Sequence, residues 1–209
     1  MEQELYEEKE HRGYTCKVFY DTCAESPAYN RDMFGTMFNQ GRYYFENRKI
    51  EEILEPDEDG GYFVNPDYIY VRVYIYDHSG ITIWSSREPE KTGWDSGLLG
   101  FYAVEKTKAE KEFGDLSDPD NMEKVLKLLE AEVDEWDTYC RGDIYGFEVF
   151  DEDDCLIDSC WGFYGDPDKV MAEAISIAND EADYKERQER EKAERVRLYE
   201  MVCEPFWID

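Results

Sequence analysis

Residues 68–76 read YIYVRVYIY, an alternation that sets Ile69, Val71, Val73 and Ile75 on one face and Tyr68, Tyr70, Arg72, Tyr74 and Tyr76 on the other. A period of two predicts a strand. Asp77, His78, Ser79 and Gly80 then supply turn residues, and residues 81–84 resume an extended apolar pattern, so the spacing predicts a hairpin. Further strands are expected at Tyr14–Tyr20, 100–105, Ile144–Phe150 and 155–161. The last two flank residues 151–154 and predict a second hairpin with an acidic turn.

The period changes after residue 118. Met122, Val125, Leu126, Leu129, Val133 and Trp136 recur at helical spacing, Asp118 can cap the helix and Pro119 suits its first position. Away from that stripe fall Glu123, Glu130, Asp134 and Asp137, the last three spaced at about 4 to 6 Å along the axis at a rise of 1.5 Å per residue. A second helix is expected at 167–179, with Val170, Met171, Ala174, Ile175 and Ala178 turned inward. Clustered strands with interspersed, non-alternating helices predict an α+β fold, a mostly antiparallel sheet with helices on one face. Residues 181–197 carry six acids and six bases, and the pairs Glu181/Lys185, Asp183/Arg187, Glu186/Arg190 and Glu191/Arg195 each place the acid four residues before the base. This predicts a solvated helix at the C-terminal end. The expected organisation is an acidic tail over 1–13, one α+β domain over 14–180, and a salt-bridged helix with an aromatic end over 181–209.

Charge narrows the function classes. The 209 residues hold 23 Lys and Arg against 52 Asp and Glu, a formal net charge of −29. A field of that sign repels DNA, RNA and anionic lipid, so direct binding to a phosphate backbone is the least expected activity. With 42% hydrophobic residues and five Trp, seventeen Tyr and eleven Phe, the chain still has material for a core. The uncompensated acids lie in three runs: 51–59, 110–137 and 142–168. No stretch is long and apolar enough for a membrane helix, and the first residues lack the basic and apolar regions of a signal peptide, so a cytoplasmic location and no membrane partner are expected. The six cysteines form no C-x-x-C pair and read as reduced thiols packed as small apolar groups.

The candidate chemistry is thin. Asp77, His78 and Ser79 are the residue types of a hydrolase triad, but neighbours in one turn cannot nest as that mechanism requires, and WDSGLLG at 94–100 lacks the G-x-S-x-G elbow. The runs at 57–60 and 151–154 offer hard oxygen ligands without the downstream Glu of a calcium loop. No enzyme, cofactor or resident metal is expected.

Five blocks, ESPAYNRDMFGTM (25–37), YDHSGITI (76–83), WDSGLLGF (94–101), GDIYGFEV (142–149) and DSCWGFYG (158–165), resemble an uncharacterised family of acidic proteins carried by bacterial phages, plasmids and conjugative elements. The first block departs from the family pattern at Ala28, where Arg is usual, and at Met33, where Asn is usual. The resemblance transfers no active site. It implies a mobile-element setting in a bacterial host, where small acidic proteins block restriction or CRISPR machinery by presenting a DNA-like surface. The expected function is therefore a non-enzymatic inhibitor whose acids occupy the Lys and Arg rows of a nucleic-acid-binding host protein. The acids expected to form that surface are Asp57, Glu58, Asp59, Glu123, Glu130, Asp134, Asp137, Asp151, Glu152, Asp153 and Asp154. The alternative is an adaptor or assembly protein that binds through the tyrosines of residues 68–76, its acids serving solubility. The sequence leaves the oligomeric state open.

Overall fold

The computed structural model describes residues 3–30, 32–40, 43, 45–46 and 48–203. In chain order its elements are β1 (Leu5–His11), β2 (Tyr14–Tyr20), α1 (Pro27–Asn30), β3 (Thr36–Asn39), β4 (Arg48–Lys49), a 3-10 turn (Ile50–Glu52), β5 (Leu54–Pro56), β6 (Tyr62–Val64), β7 (Tyr68–Asp77), β8 (Ile81–Ser86), β9 (Ser96–Glu105), α2 (Lys106–Phe113), α3 (Pro119–Arg141), β10 (Ile144–Phe150), β11 (Leu156–Tyr164) and α4 (Pro167–Cys203). The class is α+β, with sheets that are antiparallel except for the short β3–β4 pair. No helix of the described residues is long and apolar enough to cross a membrane.

Contacts divide the chain into two compact units, one from residues 1–22 with 145–209 and one from residues 23–144. The first is a four-stranded sheet in the order β1-β2-β10-β11. Alternation in β2 and β10 turns Tyr14, Cys16, Val18, Tyr145, Phe147 and Val149 to one face, where they meet Val170, Met171, Ala174, Ala178 and Ala182 of α4. The alanines recur every fourth residue, and their small side chains let the helix axis lie close to the sheet. That stripe ends at Ala182, and burial ends with it: residues 183–202 are all exposed. The charged segment at the C-terminal end is thus a continuation of the buried helix. Residues 5–11, set apart by composition, are the strand β1, joined to β2 through Arg12 and Gly13, both at positive φ (51° and 84°). Paired positive φ values make this a two-residue hairpin turn. Arg12 secures it to α4 through Asp183 (2.7 Å) and Glu186 (2.8 Å).

The second unit is a five-stranded sheet in the order β4-β3-β9-β7-β8 with both faces covered. Met37, Ile69, Val71, Val73, Ile75, Ile83, Leu99 and Val104 pack against Val125, Leu129, Val133 and Trp136 of α3. On the opposite face Phe38, Phe101 and Ala103 pack with Ile50 and Ile53 and draw in Leu54, Val64, Tyr68 and Tyr70. The tyrosine face of β7 is therefore lined by apolar side chains from the 3-10 turn and the β5–β6 hairpin. Tyr74 is 3% exposed and stacks on Trp84, which leaves Tyr76 as the exposed tyrosine of the row.

The cysteine expectation needs correcting. Cys16 is buried and Cys140 half-buried, but Cys23, Cys155 and Cys160 are exposed thiols; Cys155 and Cys160 lie in or beside the edge strand β11, whose side chains are largely solvated.

Candidate functional site

The acids singled out from sequence divide into those the fold uses and those it leaves to solvent. On α3, Asp118 accepts a hydrogen bond from the Asp120 N–H (3.0 Å), Pro119 opens the helix, and Gly142 in the left-handed region closes it. The buried stripe fixes the rotation of the helix and hence the position of the acidic row. Arg87, which follows β8, then reaches that row. Its Nε and Nη2 meet both oxygens of Glu130 (2.5 and 2.9 Å), and Nη1 meets Glu123 Oε2 at 2.6 Å. The guanidinium draws the Glu123 carboxyl below its ordinary range, and Lys127 adds a second cation 3.5 Å from Glu123. Glu123 and Glu130 are thus brought together and largely neutralised.

Asp137 serves the fold directly. Its Oδ1 accepts the Ile83 N–H (2.8 Å), and its Oδ2 pairs with Arg141 at 3.2 Å. Ile83 lies on the edge strand β8, so this carboxylate satisfies a backbone donor that an edge otherwise leaves open. Asp134 is exposed on the helix surface. Its carboxyl is raised from the ordinary value first by partial desolvation, then by the nearby charges of Asp137 and Glu130.

The other two acidic clusters sit on hairpin turns with one shared construction. In the β5–β6 turn, Asp57 Oδ1 accepts the N–H groups of Asp59 (2.9 Å) and Gly61 (2.6 Å). In the β10–β11 turn, Asp151 Oδ1 accepts those of Asp153 (3.0 Å) and Cys155 (2.9 Å). Backbone bonds repeat as well: Asp57 N–H to Gly61 O and Asp151 N–H to Cys155 O, both at 3.0 Å, with Gly60 and Asp154 donating back to the first Asp. The fourth residue of each turn has positive φ, 84° at Gly60 and 58° at Asp154. A three-residue loop closed by a left-handed residue is a standard hairpin connection. The first Asp of each turn is a structural group, while Glu58 and Asp59 in one turn and Glu152, Asp153 and Asp154 in the other carry exposed side chains. Each unit thus holds one short turn, fixed by its own hydrogen bonds, that presents adjacent acids to solvent.

A buried polar cluster went unnoticed in the sequence. Glu132, 8% exposed, lies on the apolar stripe of α3 between Leu129 and Trp136 and accepts the N–H groups of Phe34 (2.6 Å) and Gly35 (2.8 Å). Two amide donors compensate its charge. Burial pushes the Glu46 carboxyl up to about 7, the charge of Glu132 adds to the rise, and the Met37 N–H and Arg48 oppose it. Burial, with these two carboxylates, also drives the Tyr102 hydroxyl far above its ordinary range. Glu46 Oε1 is buried without a hydrogen-bond partner, and the Tyr102 hydroxyl and Trp136 Nε1 are buried beside it. Tyr102 is 0% and Trp136 1% exposed, and Glu46 is half-buried. The signal in the sequence was an acid at a stripe position.

The triad-like run resolves into turn chemistry. Asp77 accepts from the Tyr43 hydroxyl, His78 Nδ1 lies 3.6 Å from Asp95 Oδ2, and Ser79 stands at φ 64°. Trp94 is completely exposed beside this turn, in the connection whose Asp95 carbonyl accepts the Asp77 N–H. Among the described residues, no group of three or more His, Cys, Asp or Glu is placed to hold a metal ion. No family model matches the chain, and no curated protein or solved structure is significantly similar to it.

Proposed function

We propose that the protein is a non-enzymatic inhibitor that presents carboxylates, in place of phosphates, to a basic nucleic-acid-binding protein of a bacterial host's restriction or CRISPR defence. The observation that carries this reading is the acid-tipped turn built twice with the same hydrogen bonds, in a chain of net charge −29. Carboxylates on a self-bonded turn lose little conformational freedom on binding, which favours them over acids on mobile side chains. Within the acids expected from sequence, the reading rests on Glu58, Asp59, Glu152, Asp153, Asp154 and Asp134. Glu123, Glu130 and Asp137 are engaged by the fold, and Asp57 and Asp151 hold the turns.

Capture from a bacterial lysate on the immobilised full chain tests it. The expected result is a nucleic-acid-handling protein, displaced by competing duplex DNA and by raised salt. Capture of no such protein contradicts the proposal. The exposed Trp94, with Tyr76 on the neighbouring strand, favours a second reading, an adaptor that binds through an aromatic patch. In that case capture resists salt and is lost in Trp94→Ala.

A further inference from the structure

Among the described residues, the tertiary contacts that fix α4 fall before residue 187. The alanine stripe ends at Ala182, Lys185 lies over the Tyr14 ring, and Arg12 holds Asp183 and Glu186. Residues 187–202 then continue as helix with every side chain exposed, including Val196, Leu198, Tyr199, Met201 and Val202, the last at 82%. Helices of this length are marginal alone in water and draw most of their stability from packing.

Positions 184, 188, 191, 195, 198 and 202 recur at alternating spacings of four and three, which places them on one seam of the helix. They are Tyr184, Gln188, Glu191, Arg195, Leu198 and Val202. We propose that this seam is a dimer interface in which a second copy of α4 packs antiparallel, with Glu191 of each chain opposite Arg195 of the other. In that register Tyr184 faces Val202 and Gln188 faces Leu198, so the seam is complementary to itself over about 27 Å. A parallel pair would instead set Glu191 against Glu191 and Arg195 against Arg195. Charge also favours a second copy as the occupant. Residues 181–203 carry seven acids against six bases, so two chains of net charge −29 can meet there without the repulsion their remaining surfaces impose. Lys192 and Glu194 each meet their own copy on the solvent rim, where screening keeps that cost small.

The test is light scattering on the full chain over a wide concentration range. The wild type is expected to reach the mass of a dimer. Leu198→Glu with Val202→Glu weakens association by about a hundredfold or more, because it places unpaired carboxylates at both apolar ends of the seam. These residues lie outside the core, and circular dichroism checks that the rest of the chain stays folded. Glu191→Arg alone weakens the dimer by about tenfold or more, and adding Arg195→Glu restores it, since the exchanged pairs are again complementary. A monomer at all concentrations overturns the proposal, as does a dimer that survives the double Glu variant. A dimer that weakens without rescue by the charge exchange overturns the antiparallel seam. The inference is independent of the proposed function.

Discussion

Asp57 and Asp151 each open an acid-tipped hairpin turn, yet they do different work from the acids beside them. Each accepts two backbone N–H groups through one oxygen, so removing the carboxylate orphans two amides at a turn that must keep a left-handed residue. Asp151→Ala is expected to destabilise by about 1 to 2 kcal/mol, whereas Asp153→Ala, which removes an exposed side chain, stays within about 0.5 kcal/mol. Chemical denaturation of both variants measures the difference. Glu46 supplies the pH-dependent counterpart. Its folded carboxyl titrates at about 7, above the ordinary 4.5 of an unfolded glutamate. A raised acid contributes stability that is complete below the unfolded value and is lost as pH rises through the folded one. Stability should fall between about pH 4.5 and pH 7 and level off above. Glu46→Gln removes that part of the slope, and melting curves of both proteins across this window isolate it from the general relief of self-repulsion. Parallel curves would contradict the assignment. Glu132 carried a signal at this scale that went unread: an acid between Leu129 and Trp136 on a buried stripe demands partners. Glu46 carried none, since its burial depends on a segment with no periodicity of its own.

At the scale of elements, the strands β2 and β10 and the start of α3 were legible because each carries its own signal: alternation in the strands, a capping Asp before Pro in the helix. β1 was not, as its Glu and Lys residues give no apolar face and its strand character comes from pairing with β2. The short strands β3, β4, β5 and β6 are two to four residues long, below the length at which a period shows. α2 buries Ala109 alone and so lacks an apolar stripe. The acidic row of α3 was visible as a row, but its pairing with Arg87 and the Ile83 amide was hidden because both partners come from the β8 region, far along the chain. Asp137→Ala tests that reading of the element. Losing the acceptor for a partly buried edge amide is expected to cost about 1 to 3 kcal/mol, measurable by denaturation, and to speed exchange of the Ile83 amide relative to the rest of β8. Unchanged stability and exchange would return Asp137 to the set of free surface acids.

For the whole molecule, the sequence carried the charge and its three runs but not the division into two units. The first unit is assembled from both ends of the chain because β2 pairs with β10, and no local pattern reports a pairing across an intervening unit. The tyrosine row of β7 shows the same blindness: alternation revealed a two-faced strand, while what covers the second face was set by the 3-10 turn and the β5–β6 hairpin. What the fold leaves at the surface is an excess of carboxylates, and the central claim is that particular ones act. The most direct measurement is the affinity of the captured partner for three variants, each changing the net charge by the same amount. Glu58→Lys with Asp59→Lys alters one turn, Glu152→Lys with Asp153→Lys the other, and Glu189→Lys with Glu200→Lys the neutral helix away from its seam. The account predicts that at least one turn variant weakens binding by more than about tenfold while the helix variant stays close to wild type, all three retaining their circular dichroism. Equal losses in all three would show attraction to net charge alone, and no loss in either turn variant would contradict the claim.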